Sequence, residues 1–223
     1  MTLNRRQAQL WIVAGLIILL LVTDQAIKIW VKTHMFEQQK YDITSWFKIY
    51  FIENEGMAYG ITLGSKLFLT FFRIIAMSLA VYFVNVIVKK GIYKNGFIVS
   101  MAMIVAGGIG NIIDSVFYGP IFTSSVGQVA HWVPWGQGYA PAFYGKVVDM
   151  FYFPLIHGTF PEWIPFKGGE NFIFFSPIFN FADACISVGV ITLILFYPHT
   201  LGHALDSLSR RKKSADTEQD NKD

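Results

Sequence analysis

Four stretches of this chain are apolar over lengths that match the hydrocarbon core of a bilayer, about 30 Å thick, which takes roughly 20 residues of helix to cross. They run from Leu10 to Val31, Leu67 to Val88, Gly96 to Ile113 and Phe179 to Tyr197. Of the 223 residues, 53% are hydrophobic and only 15% charged, which sets the chain apart from an average soluble domain. The fold class expected is an all-α membrane protein: four transmembrane helices with a small external β-containing subdomain and a long external loop. The net charge of +3 is small, and the basic residues fall in short runs at segment ends instead of a stripe, so no nucleic-acid partner is expected. Cys185 is the single cysteine, which excludes an intrachain disulfide; inside an apolar segment it reads as a small buried hydrophobe. No internal repeat is evident, which argues against a transporter built from duplicated halves.

Basic residues near span ends are retained on the cytoplasmic side, and this orients the chain. Arg5 and Arg6 precede span one, Lys89, Lys90 and Lys94 separate spans two and three, and Arg210 to Lys213 follow span four. Both termini are therefore expected to be cytoplasmic, with loops 32–66 and 114–178 on the opposite face. A cleaved signal peptide is the rival reading of the first apolar run, but no small-residue cleavage motif follows Val22. One domain over 1–200 and a polar, solvated tail over 201–223 follow from this layout. The segment "WFKIYFIENEG" alternates partly and predicts a short strand entering a turn at residues 54–56. The stretch from Tyr118 to Gly145, dense in Gly, Pro and aromatic residues, suits an interfacial loop.

Polar residues concentrate at one end of this bundle. Asp24 and Lys28 fall near the external end of span one, Asn111 and Asp114 at that of span three, and Asn180 and Asp183 in the first turn of span four, while "VVDMF" carries Asp149 in the external loop. Each has a plainer reading. Asp24 and Lys28 have the i, i+4 spacing of a helix ion pair, Asn180 and Asp183 suit a capped helix start, and Asn111 and Asp114 suit a span end. Two carboxyls sharing a partly desolvated site cannot both ionise cheaply, so one holds a proton while the other stays charged, a combination suited to hydrolysis. The five histidines lack the spacing of a metal site, and neither a metal nor a cofactor is expected. Two other classes stay open on residues alone: a small proton- or ion-coupled transporter, since acids in spans also mark ion paths, and a scaffold whose acids are only caps and pairs.

Five motifs occur in an order that resembles the lipoprotein signal peptidases, bacterial signal peptidase II: "DQAIK" at 24–28, "NEGMAYG" at 54–60, "GGIGNIID" at 107–114, "VVDMF" at 147–151 and "FNFADACI" at 179–186. The resemblance implies an aspartic endopeptidase of the bacterial inner membrane, with its active site at the outer face and Asp149 and Asp183 as the catalytic pair. It implies that the substrate is a prolipoprotein whose cysteine already carries diacylglyceryl, cut just before that cysteine, with membrane lipid as surroundings. Asp24, Lys28, Asn54, Gly56, Asn111, Asp114, Asn180 and Ala182 match the family's other motif positions, which orient the acids and hold the substrate. The chain departs from the pattern where the family usually has Arg after the third-motif aspartate. Ser115 stands there, so the guanidinium contact expected at that position is either missing or replaced by another residue such as Lys146. The interval from Asp114 to Asp149 is longer than in compact members, making the 118–145 insertion a candidate cover for the site.

Overall fold

The structure, a computed structural model, describes residues 4–56 and 65–207. Helix α1 (Arg5–His34) starts at Asn4, whose side chain accepts from the Gln7 amide while the Gln7 side chain accepts from the Asn4 amide. Strands β1 (Lys40–Asp42) and β2 (Lys48–Asn54) follow, then α2 (Lys66–Lys90), which ends where Gly91 takes a left-handed φ of 65°. Helix α3 (Asn95–Ile113) does not stop at the expected span end. It continues through a π-helical stretch, Asp114–Tyr118, into the short α4 (Gly119–Ile121). Strands β3 (Val147–Tyr152), β4 (Ile156–Thr159), β5 (Asn171–Phe174) and β6 (Ile178–Phe179) lead into α5 (Phe181–Phe196), and α6 (Pro198–Ser207) departs from α5 at 96°.

Three helices, Arg5–His34, Lys66–Lys90 and Asn95–Ile121, are long and apolar enough to cross a membrane, or up to four if the bent α5–α6 pair counts as one span. The fourth span expected over 179–197 is thus a strand end, a cap and a 16-residue helix, which is about 24 Å long. The helices are sorted by lipid, not water. Ile18, Leu19 and Val22 of α1 are exposed while Asp24, Lys28 and Lys32 are buried, the reverse of a soluble amphipathic helix. One apolar cluster joins α2, α3, α5 and α6 around Phe83, Phe97, Met101, Leu193 and Ala204. Residues 201–207, expected in the polar tail, are therefore helical, with Ala204 in the core; the rest of the tail lies outside the described residues.

The small β-containing subdomain expected is present and has more strands than the one located from sequence. Four antiparallel strands form one sheet in the order β1-β2-β3-β6, and β4 and β5 form a second, two-stranded sheet. In the larger sheet Ile49 pairs with Phe151 and Ile52 with Asp149, so Tyr50 and Phe51 face Met150 alone in a bulge. Alternation then sends Val148 and Met150 to one face, where they pack with Phe51, Val31, Met35 and Tyr118, and Asp149 to the other. Burying each of these large apolar side chains stabilises the sheet's seat on α1 by about 1.5 to 3 kcal/mol. The 118–145 segment folds back on the end of α3: Gly145 N donates to Ser115 O (2.9 Å) and Tyr139 N to Phe122 O (2.9 Å).

Candidate active site

Asp24, Lys28 and Lys32 recur at four-residue intervals and share the buried face of α1, at 2%, 0% and 0% exposure. A buried ammonium must find an acceptor for each of its three protons. Lys28 Nζ does so with Asp24 Oδ2 (2.9 Å), Asp114 Oδ2 (2.9 Å) and Asn111 Oδ1 (3.0 Å). The i, i+4 pair is present, therefore, but enclosed and shared with α3. Asp24 Oδ1 accepts from Ala182 N (3.0 Å) in the first turn of α5, where helix amides without intrahelical partners favour a carboxylate. Asp114 accepts from Gln25 Nε2 (3.1 Å) and from Val148 N (3.2 Å), tying α1 and the end of α3 to strand β3. Lys32 pairs with Glu53, and Ser125 Oγ, from the long external segment, donates to the same carboxylate (3.0 Å).

Two glycines of "GGIGN" permit this approach. A Cβ on Gly110 would lie 2.6 Å from Asp24 Oδ2, and one on Gly107 would lie 2.3 Å from Ala182 O, both far inside van der Waals contact. Helix α3 therefore meets α1 and α5 closely enough for short polar side chains to bridge them.

Asp149 and Asp183 line one cavity of about 590 Å³, with Asn54, Gly56, Asn111 and Arg73 also in its wall. Asp149 arrives from β3. Its Oδ2 accepts from Asn54 Nδ2 (3.0 Å) and its Oδ1 from Asn180 Nδ2 (2.7 Å). Asn54 reaches it because Ile52 pairs with Asp149, so the residue two further along β2 shares that face. Asp183 arrives from α5, and its Oδ1 accepts from Asn111 Nδ2 (2.8 Å). Asn180 caps α5, its Oδ1 accepting from Asp183 N (2.9 Å), and Asn180 N donates to Asp183 Oδ2 (3.4 Å). A further bond from Asn180 Nδ2 to Asn111 Oδ1 (3.2 Å) closes the network. Capping and contact with Asp149 are thus done by different atoms of one side chain. Asp149 is 3% exposed. Burial and, next, the Asp183 carboxyl push its pKa up to about 7, against the pull of the Asn54 and Asn180 amides.

All ten residues singled out from sequence meet in this network or on the cavity wall. Gly56 N donates to Asn54 Oδ1 (2.7 Å), while residues 57–60 of the second motif lie outside the described residues. Lys146 does not stand in for the missing arginine: its Nζ lies 3.4 Å from Glu55 and lines a different cavity. Ser115 points away from the acids, Oγ donating to Asn111 O (3.0 Å). Sequence reasoning did not single out Arg73, on the cavity wall, or Gln25, which donates to Asp114. The signal was available for Arg73, because a charge inside an apolar span is costly to insert and is retained for a reason.

Apolar helices, a lipid-sorted surface and a polar pocket at one end of the bundle define a membrane-embedded enzyme. The fold agrees: two solved structures of bacterial membrane enzymes, each 23% identical, align with TM-scores of 0.57 and 0.54, covering 82% of this chain and 85% and 90% of theirs. The sequence model of signal peptidase (SPase) II matches residues 16–198, and the chain belongs to that peptidase family. A lipoprotein signal peptidase of Porphyromonas gingivalis is 57% identical over 195 residues, 87% of this chain and 86% of the relative. One from Amoebophilus asiaticus is 35% identical over 196 residues, 84% of this chain and 78% of the relative.

Proposed function

We propose that this protein is an aspartic endopeptidase that removes signal peptides from diacylglyceryl-modified prolipoproteins at the outer face of a bacterial inner membrane. Family membership supports the peptidase activity and the substrate class. The observation that carries the choice of residues is the single cavity lined by Asp149 and Asp183, each held by neutral carboxamides and neither by a cation among the described ion pairs.

The chemistry follows from the difference between the two acids. Asp149, with its pKa near 7, is assigned the proton, and Asp183 the part of the base. Asp183 takes a proton from water as the water oxygen bonds to the scissile carbonyl carbon, and the carbonyl oxygen takes the proton of Asp149. The diol then collapses. One hydroxyl proton returns to Asp149, Asp183 protonates the amide nitrogen, and the C–N bond breaks just before the lipidated cysteine. Lys28, Asp24, Asp114 and Ala182 do not touch the reacting groups; they fix α1, α3, β3 and α5 relative to one another.

In this reading α5 with its flanking segments makes the fourth crossing, both termini are cytoplasmic, and residues 1–200 form one peptidase domain. The lipid anchor of the substrate keeps its cysteine at the membrane surface, the depth at which the ends of α3 and α5 meet. Nothing in the family or fold favours a transporter, and the acids gather at one end of the bundle instead of spanning its depth. The test is incubation of the purified protein with lipidated and unlipidated precursors. Only the lipidated form is expected to lose its signal peptide, and Asp149→Asn or Asp183→Asn abolishes the cut. Near-normal processing by either variant refutes the pair.

A further inference from the structure

Arg73 stands about two turns into the apolar helix α2, with Phe72 and Ile75 exposed on the lipid side and its own side chain turned inward to the cavity of Asp149 and Asp183. It is the only cation among the described residues lining that cavity. Gly56 lets the chain after β2 lie against this part of α2: its φ is 102°, and a Cβ there would sit 2.1 Å from Leu69 Cδ2 and 3.8 Å from Arg73 Nη2. Among the described residues the guanidinium nevertheless has no ion pair within 4.0 Å, and Nη1 is buried with no hydrogen-bond partner. A cation and two acids therefore line one hollow without touching. Buried donors are retained unpaired where a ligand completes them.

The group that completes Arg73 has to accept hydrogen bonds and lie between the guanidinium and the acids. A phosphate would bring a negative charge against two carboxyls. A peptide carbonyl is neutral, becomes negative only as water attacks it, and has two lone pairs, one for the Asp149 proton and one for a second donor.

We propose that Arg73 is a catalytic residue whose guanidinium donates to the oxygen of the scissile carbonyl, supplying from α2 the cation that Ser115 does not. The inference rests on the aspartic-peptidase reading above. A donor that strengthens as charge develops acts on kcat more than on KM, which distinguishes it from a residue that only shapes the cavity.

The test uses the full chain in lipid-containing micelles with a diacylglyceryl-modified precursor. Arg73→Gln is expected to lower kcat about 10²-fold with KM and Tm nearly unchanged, in line with loss of one oxyanion donor. Arg73→Lys, which keeps the charge and loses the fork, falls between. A kcat within threefold of the parent, or a loss carried by KM alone, overturns the assignment. If Arg73→Gln does not fold, Arg73→Lys decides: reduced kcat at unchanged Tm supports the proposal and an unchanged kcat refutes it. Asp183→Asn in the same assay separates the two claims. An inactive Asp183→Asn beside a normal Arg73→Gln sinks only the role of Arg73, whereas an active Asp183→Asn sinks the peptidase reading.

Discussion

Replacing Asp149 by Asn tests the electrostatics of the site independently of catalysis. Burial raises the carboxyl from 3.8 to about 7, a shift of roughly three units, or about 4 kcal/mol. The sign follows from the direction: a carboxyl whose folded pKa exceeds its unfolded value contributes fully below pH 4, and that contribution is lost as pH rises towards 7. The parent protein therefore loses about 4 kcal/mol of stability across that window through this one group. Asn does not titrate, so the variant avoids the loss. It has a cost of its own, because Asn54 and Asn180 both donate to Asp149 and a carboxamide offers only one oxygen. Two facing donors cost about 1 to 3 kcal/mol at every pH. Asp149→Asn should thus be less stable than the parent at pH 4 and more stable, by about 1 to 3 kcal/mol, at pH 8. Thermal unfolding of both proteins in the same micelles at half-unit pH steps reads this directly, and the two Tm curves should cross between about pH 4.5 and 6. Parallel curves would refute the buried, proton-holding assignment of Asp149.

Lys28→Met removes the cation between Asp24 and Asp114, both essentially inaccessible; it should cost about 3 to 5 kcal/mol, read as a large fall in Tm together with loss of cleavage. Gly110→Val drives a branched side chain into Asp24, where a Cβ alone already meets Oδ2 at 2.6 Å; yield of folded protein should drop sharply, while a variant at Gly15, which has open space around it, should not behave this way. Asn180→Ala removes both the cap of α5 and a donor to Asp149; stability should fall by about 1 kcal/mol or somewhat more, and wild-type Tm would argue against the network.

What was legible in the sequence was the part written in local order. Apolar lengths located α1, α2 and α3, and the i, i+4 spacing of Asp24 and Lys28 announced their contact. The plain readings of Asn180 as a cap and of Asp24–Lys28 as a pair hold in the structure, yet they do not compete with a role in the site, because different atoms of the same side chains do both. The rest is non-local. The bulge at Tyr50 and Phe51 depends on pairing with a strand about a hundred positions away, and nothing near Ile52 encodes it. The β4–β5 sheet joins segments whose alternation is weak, with both faces largely exposed. The π-helical stretch over Asp114–Tyr118 is visible only once Gly145 and the 118–145 segment are seen to pack on it. Gly107 and Gly110 read as helix-weakening residues until the neighbours α1 and α5 are in place.

Neutral carboxamides, not cations, hold the two acids, and this choice has a consequence for pH dependence. An ammonium in contact with Asp149 would stabilise the carboxylate and empty the pair of its proton near neutrality, whereas an amide donates without neutralising. Lys28 is kept one layer away, in contact with Asn111 and not with either acid. Asp149 can then titrate near 7 and the singly protonated pair persists up to that pH. Cleavage should accordingly decline at alkaline pH with a midpoint near 7. Asn54→Asp tests the argument with almost no change in shape, since Asp can still accept from Gly56 N. It removes a donor from Asp149 and adds a negative charge beside it, and both effects raise the pair's affinity for its proton. The alkaline limb of kcat should move to higher pH by a unit or more, measured against the parent with the same lipidated precursor. A limb that stays in place or moves down would mean that the proton lost at alkaline pH does not come from this pair.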